Sequence, residues 1–178
     1  MDLNNLELVP FNDPLLRKAP ELFDFDKHDA KEVCDALFAK QIELNGAGLS
    51  ANQVGLDMKV FTFGDGKELT RYIINPEIIG VSEKTVLSKE GCLSLPGLWL
   101  HIRRPISVTV DYYSTEGEKV TETFTELAAT VFLHEFDHML GQNFTMRVSK
   151  LKLDRALKAL KKNKVKQARQ IVAAQGVI

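Results

Sequence analysis

The run His134-Glu135-Phe136-Asp137-His138 places two imidazoles four residues apart, with a carboxylate directly after the first. Positions i and i+4 share one face of an α-helix, so both rings can take corners of a single metal site. The helical repeat turns Glu135 about 100° from His134, near enough to handle protons without being a ligand. Ligands, a base and an open coordination position for water are what a metal-dependent hydrolase needs. An HExxH match also arises by chance on solvated helices. Here the flanking Leu127, Val131, Phe132, Leu133, Met139 and Leu140 predict a buried helix, roughly Glu126 to Leu140, closed by Gly141.

A catalytic metal of this kind usually keeps three protein ligands. Cys92 is the best candidate for the third. It sits in Glu90-Gly91-Cys92-Leu93-Ser94-Leu95-Pro96-Gly97, where the glycines and proline favour a fixed, irregular backbone. Cys34 falls inside an amphipathic helical pattern and reads as an apolar filler. His28 and His101 are alternative ligands, each more in keeping with an ordinary surface or loop residue.

The elements that must position these groups follow from periodicity. Asp29 to Leu44 carries Val33, Leu37, Phe38 and Ile42 at helical spacing, and the glycines of Asn45-Gly46-Ala47-Gly48 predict its stop. Lys59 to Phe63 alternates as a strand, Asp65-Gly66 turns, and Arg71 to Asn75 extends again. Pro76 opens a further extended stretch toward Leu87. Ile106 to Tyr112 reads as a half-buried strand that Glu116-Gly117 turns into a hairpin with Lys119 to Phe124. The tail, Lys150 to Ala174, is a helical pattern with Leu153, Leu157, Leu160 and Val165 on roughly one side. Its basic run, Lys158 through Lys166, reads as a solvated face, with nucleic acid as the alternative contact. The order predicts an α+β fold: mixed or antiparallel strands wrapped around a central HExxH metal helix, with N-terminal and C-terminal helices outside.

Bulk properties limit the function classes. The 178 residues suit one domain, 1–178, with no repeat or composition break. A formal net charge of −1 gives no overall drive toward DNA or an anionic membrane. No apolar stretch reaches the roughly 20 residues that span a bilayer, and the start lacks a secretory signal pattern. Two cysteines make no disulfide framework, leaving at most one bridge. A cytoplasmic setting is the expectation.

Three ordered segments together resemble the peptide deformylases: Gly46-Ala47-Gly48-Leu49-Ser50-Ala51-Asn52-Gln53, Glu90-Gly91-Cys92-Leu93-Ser94, and His134-Glu135-Phe136-Asp137-His138. Ile74-Asn75-Pro76 and the strand pair before the metal helix fall at similar intervals, and the likeness runs from Asp13-Pro14 to Leu151. The resemblance implies hydrolysis of the N-formyl group on the initiator methionine of nascent polypeptides, with metal-bound hydroxide attacking the formyl carbon and formate leaving. It implies Cys92, His134 and His138 as ligands, Glu135 as general acid and base, and the Gln53 side chain and Leu93 N–H as oxyanion donors. Ferrous iron is the implied ion, with zinc, nickel or cobalt as substitutes that one thiolate and two imidazoles also accept. The substrate slot would be formed by Gly46, Ala47 and Gly48 opposite Leu127, Thr130 and Val131, on the helix face that also carries His134 and His138. Glu90 and Asp137 are expected to share Arg103 or Arg104 as a charge cluster behind the ligands. The ribosome is the expected macromolecular partner of the basic C-terminal helix.

Three positions depart from the family pattern: Asn52 for a small residue or proline, Leu133 for glutamine, and Ala47 for a larger branched residue. They fit a divergent branch, organellar or viral. Two rival readings are weaker. A protease of internal peptide bonds needs a downstream His or Glu ligand, and after His138 there is neither. A non-catalytic zinc module would be richer in cysteine.

Overall fold

The computed structural model describes residues 2–67 and 69–174; positions 175–178 of the expected single domain lie outside the described residues. Helix α1 spans Ala30–Glu43, and Asp29 caps it by accepting the Glu32 N–H at 2.9 Å. It buries Val33, Cys34 and Leu37. The stop comes from Asn45, not from a glycine: its φ of 54° is left-handed, a region that asparagine tolerates.

Seven strands follow: β1 (Gly48–Ser50), β2 (Val60–Gly64), β3 (Thr70–Val81), β4 (Thr85–Cys92), β5 (Leu95–Pro105), β6 (Ser107–Tyr113) and β7 (Lys119–Thr125). They form a five-stranded sheet in the order β1-β2-β3-β6-β7 and a separate β4–β5 hairpin. Every pairing among the described residues is antiparallel, so no parallel component is needed. The expected break at Pro76 is instead a bulge within β3. Asn75 takes φ 50° there and exchanges two side-chain hydrogen bonds with the Phe23 backbone. The chain then turns at residues 82–84 before β4.

Helix α2 (Glu126–Met139) carries the HExxH run and touches β1, β2, β5, β6 and β7. Its rear face is fixed by Phe132, whose ring meets Phe61 at 5.2 Å, Phe124 at 5.3 Å and Phe63 at 6.3 Å. Such aromatic pairs each contribute about 0.5–1.5 kcal/mol beyond area burial. Leu133, the departure just before His134, packs into the same cluster. Leu127 does not: it is 75% exposed, and Leu140 also faces solvent at the helix end.

The segment Glu90–Gly97 is more regular than expected. Cys92 closes β4 and pairs with Leu95 across the turn Leu93-Ser94, with a register shift at Gly91. Along β5 the buried Leu98, Leu100, Ile102 and Arg104 alternate with the exposed Trp99, His101 and Arg103. Helix α3 (Lys150–Ala174) lays Leu153, Ala156 and Leu160 against that buried side. Leu157 and Val165 remain exposed, so the four apolar residues of the tail do not share one inward face. No described helix is long and apolar enough to cross a membrane.

Candidate metal centre

The end of β4 and two turns of α2 bring Cys92 Sγ, His134 and His138 together, with one ligand atom from each within 4.8 Å of the others. Sγ lies 3.5 Å from His138 Nε2. Bonds of about 2.3 Å to sulfur and 2.0–2.1 Å to nitrogen, at a tetrahedral angle, separate such atoms by about 3.5 Å. The donor set therefore fits one divalent ion. His28 and His101 are not in the cluster.

The orientation of His134 is fixed from behind. Its Nδ1 lies 3.0 Å from Glu90 Oε2, which leaves Nε2 for the metal side. Arg104 grips Glu90 with two hydrogen bonds of 2.9 Å and reaches Asp137 Oδ2 at 2.9 Å with Nη1. Strand parity decides between the two candidate arginines: Arg103 points outward toward Thr85 and takes no part. Asp137 is also bound by Arg147, a partner with no cue in the sequence. Burial favours protonation of Glu90, but Arg104 and His134 hold its carboxyl below the usual range. Burial would likewise lower the His134 pKa, yet hydrogen bonds to Cys92 and Glu90 raise it to about 10 in the metal-free protein. Burial and the nearby His134 charge push His138 down to about 3. Two adjacent imidazolium charges are therefore disfavoured.

Glu135 stands beside the three ligands and is not one of the cluster. Burial raises its pKa to about 7, and Oε2 has no hydrogen-bond partner among the described residues. The backbone of Gly48 approaches so closely that a Cβ there would lie 2.6 Å from Glu135 Oε1. A Cβ on Gly46 would lie 2.7 Å from Leu93 Cδ1. Neither glycine adopts a positive φ; both are required by close approach.

Gln53 is held by its oxygen, which accepts from the Ser50 N–H at 3.0 Å and lies 2.9 Å from the Ser50 hydroxyl. Its Nε2 is thereby aimed at Ser94 Oγ (3.0 Å) and Cys92 Sγ (3.4 Å). Asn52 donates to the His138 carbonyl at 3.0 Å and is fully buried. This departure from the family pattern ties the turn carrying Gln53 to the end of the metal helix. Its unusual identity was the one available signal.

These groups open on a cavity of about 420 Å³. Gly46, Ala47 and Gly48 line one side, Leu127, Thr130 and Val131 another, with Cys92, Leu93, His134 and Glu135 also in the wall. Thr130 is steadied by the Glu126 carbonyl and by Ser88. His138 shares the helix face but does not line the cavity, because it is buried behind the other ligands. Lys89 and Trp99, which carry no cue in the sequence, are brought into the wall by β4 and β5.

Three comparisons bear on this geometry. The sequence matches the family described as polypeptide deformylase over residues 5–154. It is 37% identical over 155 residues to "Peptide deformylase 1B, chloroplastic/mitochondrial" of Arabidopsis thaliana, covering 84% of this chain but only 56% of that protein. The chain therefore spans little more than half the length of that relative. It is 34% identical over 160 residues to the peptide deformylase of Afipia carboxidovorans, covering 88% of this chain and 94% of that one. Among solved structures, peptide deformylase from Thermotoga maritima superposes with a TM-score of 0.76 at 35% identity, covering 81% and 97% of the two chains.

Proposed function

Because the chain belongs to the polypeptide deformylase family, we propose that it removes the N-formyl group from the initiator methionine of nascent polypeptides and releases formate. The observation that carries the proposal is the Cys92–His134–His138 cluster standing beside a buried, non-ligating Glu135 at an apolar cavity. A divalent ion held by the three side chains would polarise a carbonyl and make water acidic enough to attack near neutral pH. The rest falls to the chain itself. Glu135, in a pocket that leaves its carboxyl free of other partners, takes the proton and delivers it to the departing amine. Gln53 Nε2 and the Leu93 N–H are the donors to the developing oxyanion. The Gln53 oxygen is already anchored, so the amide needs no reorientation.

We assign ferrous iron as the working ion, with nickel and cobalt as durable substitutes and zinc as a weaker one. Affinity alone does not choose among these ions, and a thiolate–iron site is open to oxidation. Two free thiols, one a ligand, suit a reducing cytoplasm. The ribosome is the proposed partner of α3, which carries nine of the chain's 23 Lys and Arg residues and only one of its 24 Asp and Glu residues.

The cavity wall predicts side-chain selectivity. Ala47, Val131 and Leu127 shape an apolar slot that an unbranched thioether fills. Formyl-methionyl and formyl-norleucyl tripeptides should turn over within about tenfold of each other, since exchanging sulfur for a methylene conserves volume and such swaps cost less than about 1.5 kcal/mol. Formyl-aspartyl peptides should fall at least about a hundredfold, because a carboxylate would be desolvated without a partner. Equal kcat/KM for methionyl and aspartyl peptides, measured by formate release, would refute this slot.

A further inference from the structure

The alternation of β5 leaves Trp99, His101 and Arg103 on the outward side of the hairpin. Across the ladder, Lys89 pairs with His101 and Leu87 with Arg103, and both partners are exposed. The neighbouring flank of α3 adds Lys152 and Arg155, which meet Trp99 and His101 around a second cavity of about 520 Å³. An indole that is 57% exposed thus shares the hairpin's outward side with Lys89 and Arg103, and a cavity wall with Lys152 and Arg155, on a protein whose net charge is −1.

The outward positions of the hairpin, Thr85, Leu87, Lys89 and Gly91 with Trp99, His101 and Arg103, include no carboxylate. Glu90 points inward and is held by Arg104 and His134. Asp154 is two positions beyond Lys152, rotated about 200° from it on the helix and so away from the hairpin. The same flank of α3 continues through the exposed Lys162, two turns beyond Arg155, and Lys166, one turn further.

Trp99 is seated for contact. Its ring lies against Gly91, where a Cβ would come within 3.1 Å of the indole, and Lys89 Nζ stands 5.1 Å from the ring centroid. A cationic groove with an exposed aromatic ring is the surface that single strands use. Phosphates meet the cations and a base stacks on the ring. An acidic peptide would satisfy the charges but leave the indole without a planar partner. An anionic membrane would call on an apolar helix face, whereas Leu153 and Leu160 of α3 are engaged with β5.

We propose that the outward β4–β5 face and the adjoining flank of α3 bind single-stranded RNA beside the mouth of the catalytic cavity. The inference rests on the ribosome reading for its setting only. Its test uses RNA alone, so a failed deformylase assay leaves it standing. Metal-loaded full-length protein is titrated into a labelled oligouridylate of about twelve nucleotides, following anisotropy of the RNA and emission of the chain's one tryptophan. Binding should perturb Trp99 emission and weaken with salt. A slope near −3 is expected in log affinity against log salt, about −0.7 for each of four neutralised phosphates.

Arg103→Glu combined with Arg155→Glu should weaken binding at least about tenfold, while formate release from a formyl-methionyl tripeptide stays unchanged. Trp99→Leu should cost about fivefold to a hundredfold in RNA affinity. Wild-type affinity in both variants, binding indifferent to salt, or equal affinity for polyglutamate or phosphatidylserine vesicles would each overturn the proposal.

Discussion

Glu135→Gln is expected to reduce formate release by about 10²–10⁴-fold, the usual contribution of a positioned acid–base group, while the protein retains one metal ion per chain. Glutamine has the shape of glutamate, so it fits beneath Gly48, where the clearance to a built Cβ is only 2.6 Å. It leaves no charge behind in a site where burial already raises the carboxyl to about 7. The candidate ligand cluster among the described residues is Cys92, His134 and His138 without Glu135, which is why metal content and turnover should separate. Metal analysis and formate release on the same preparation check this. Loss of metal in parallel with activity would make Glu135 a ligand and undo its assignment as the proton carrier.

The second large effect is on the fold. Arg104→Met should destabilise the protein by about 3–5 kcal/mol, the cost of removing one partner from a buried ion pair. Glu90 and Asp137 are both buried and both bonded to this guanidinium. Without it two carboxylates stay desolvated with one cation less. Arg147 cannot substitute, because it reaches only Asp137 and its side chain is 41% exposed. Metal affinity should fall too, by about 10–100-fold, since Glu90 no longer holds His134 Nδ1 in place. Urea unfolding and chelator competition measure the two effects. A loss under about 1 kcal/mol, as for an exposed pair, would show that the cluster contributes nothing structural.

What could be read in the chain was what is local. The HExxH histidines are four residues apart, and Asp29 precedes its helix by a single position, so a few residues specify each. The charge cluster was half legible. Glu90 and Asp137 adjoin ligands, but choosing Arg104 over Arg103 required recognising β5. Its alternation of Leu98, Leu100 and Ile102 was present in the sequence, obscured by Pro96, Gly97 and the paired arginines. The remainder was non-local. Gly48 approaches Glu135, Asn52 reaches the His138 carbonyl and Trp99 joins the cavity wall only because distant strands meet α2. Gly46 and Gly48 read equally as a helix stop or as sites of close backbone approach, because a glycine needed for close approach and one needed for a left-handed turn look identical in sequence. The difference appears in φ, where Asn45 is left-handed and the glycines are not.

On the proposed reading, this site hydrolyses a formyl amide and not a peptide bond. The most direct measurement loads the metal-free protein anaerobically with ferrous iron, then follows formate and new amino termini from a formyl-methionyl tripeptide alongside an unmodified protein substrate. The expected result is one formate for each new amino terminus on the tripeptide, no cleavage of the unmodified chain, loss of turnover on chelation and recovery with iron. Iron-loaded protein that released no formate, or that cut internal bonds of the unmodified substrate, would contradict it.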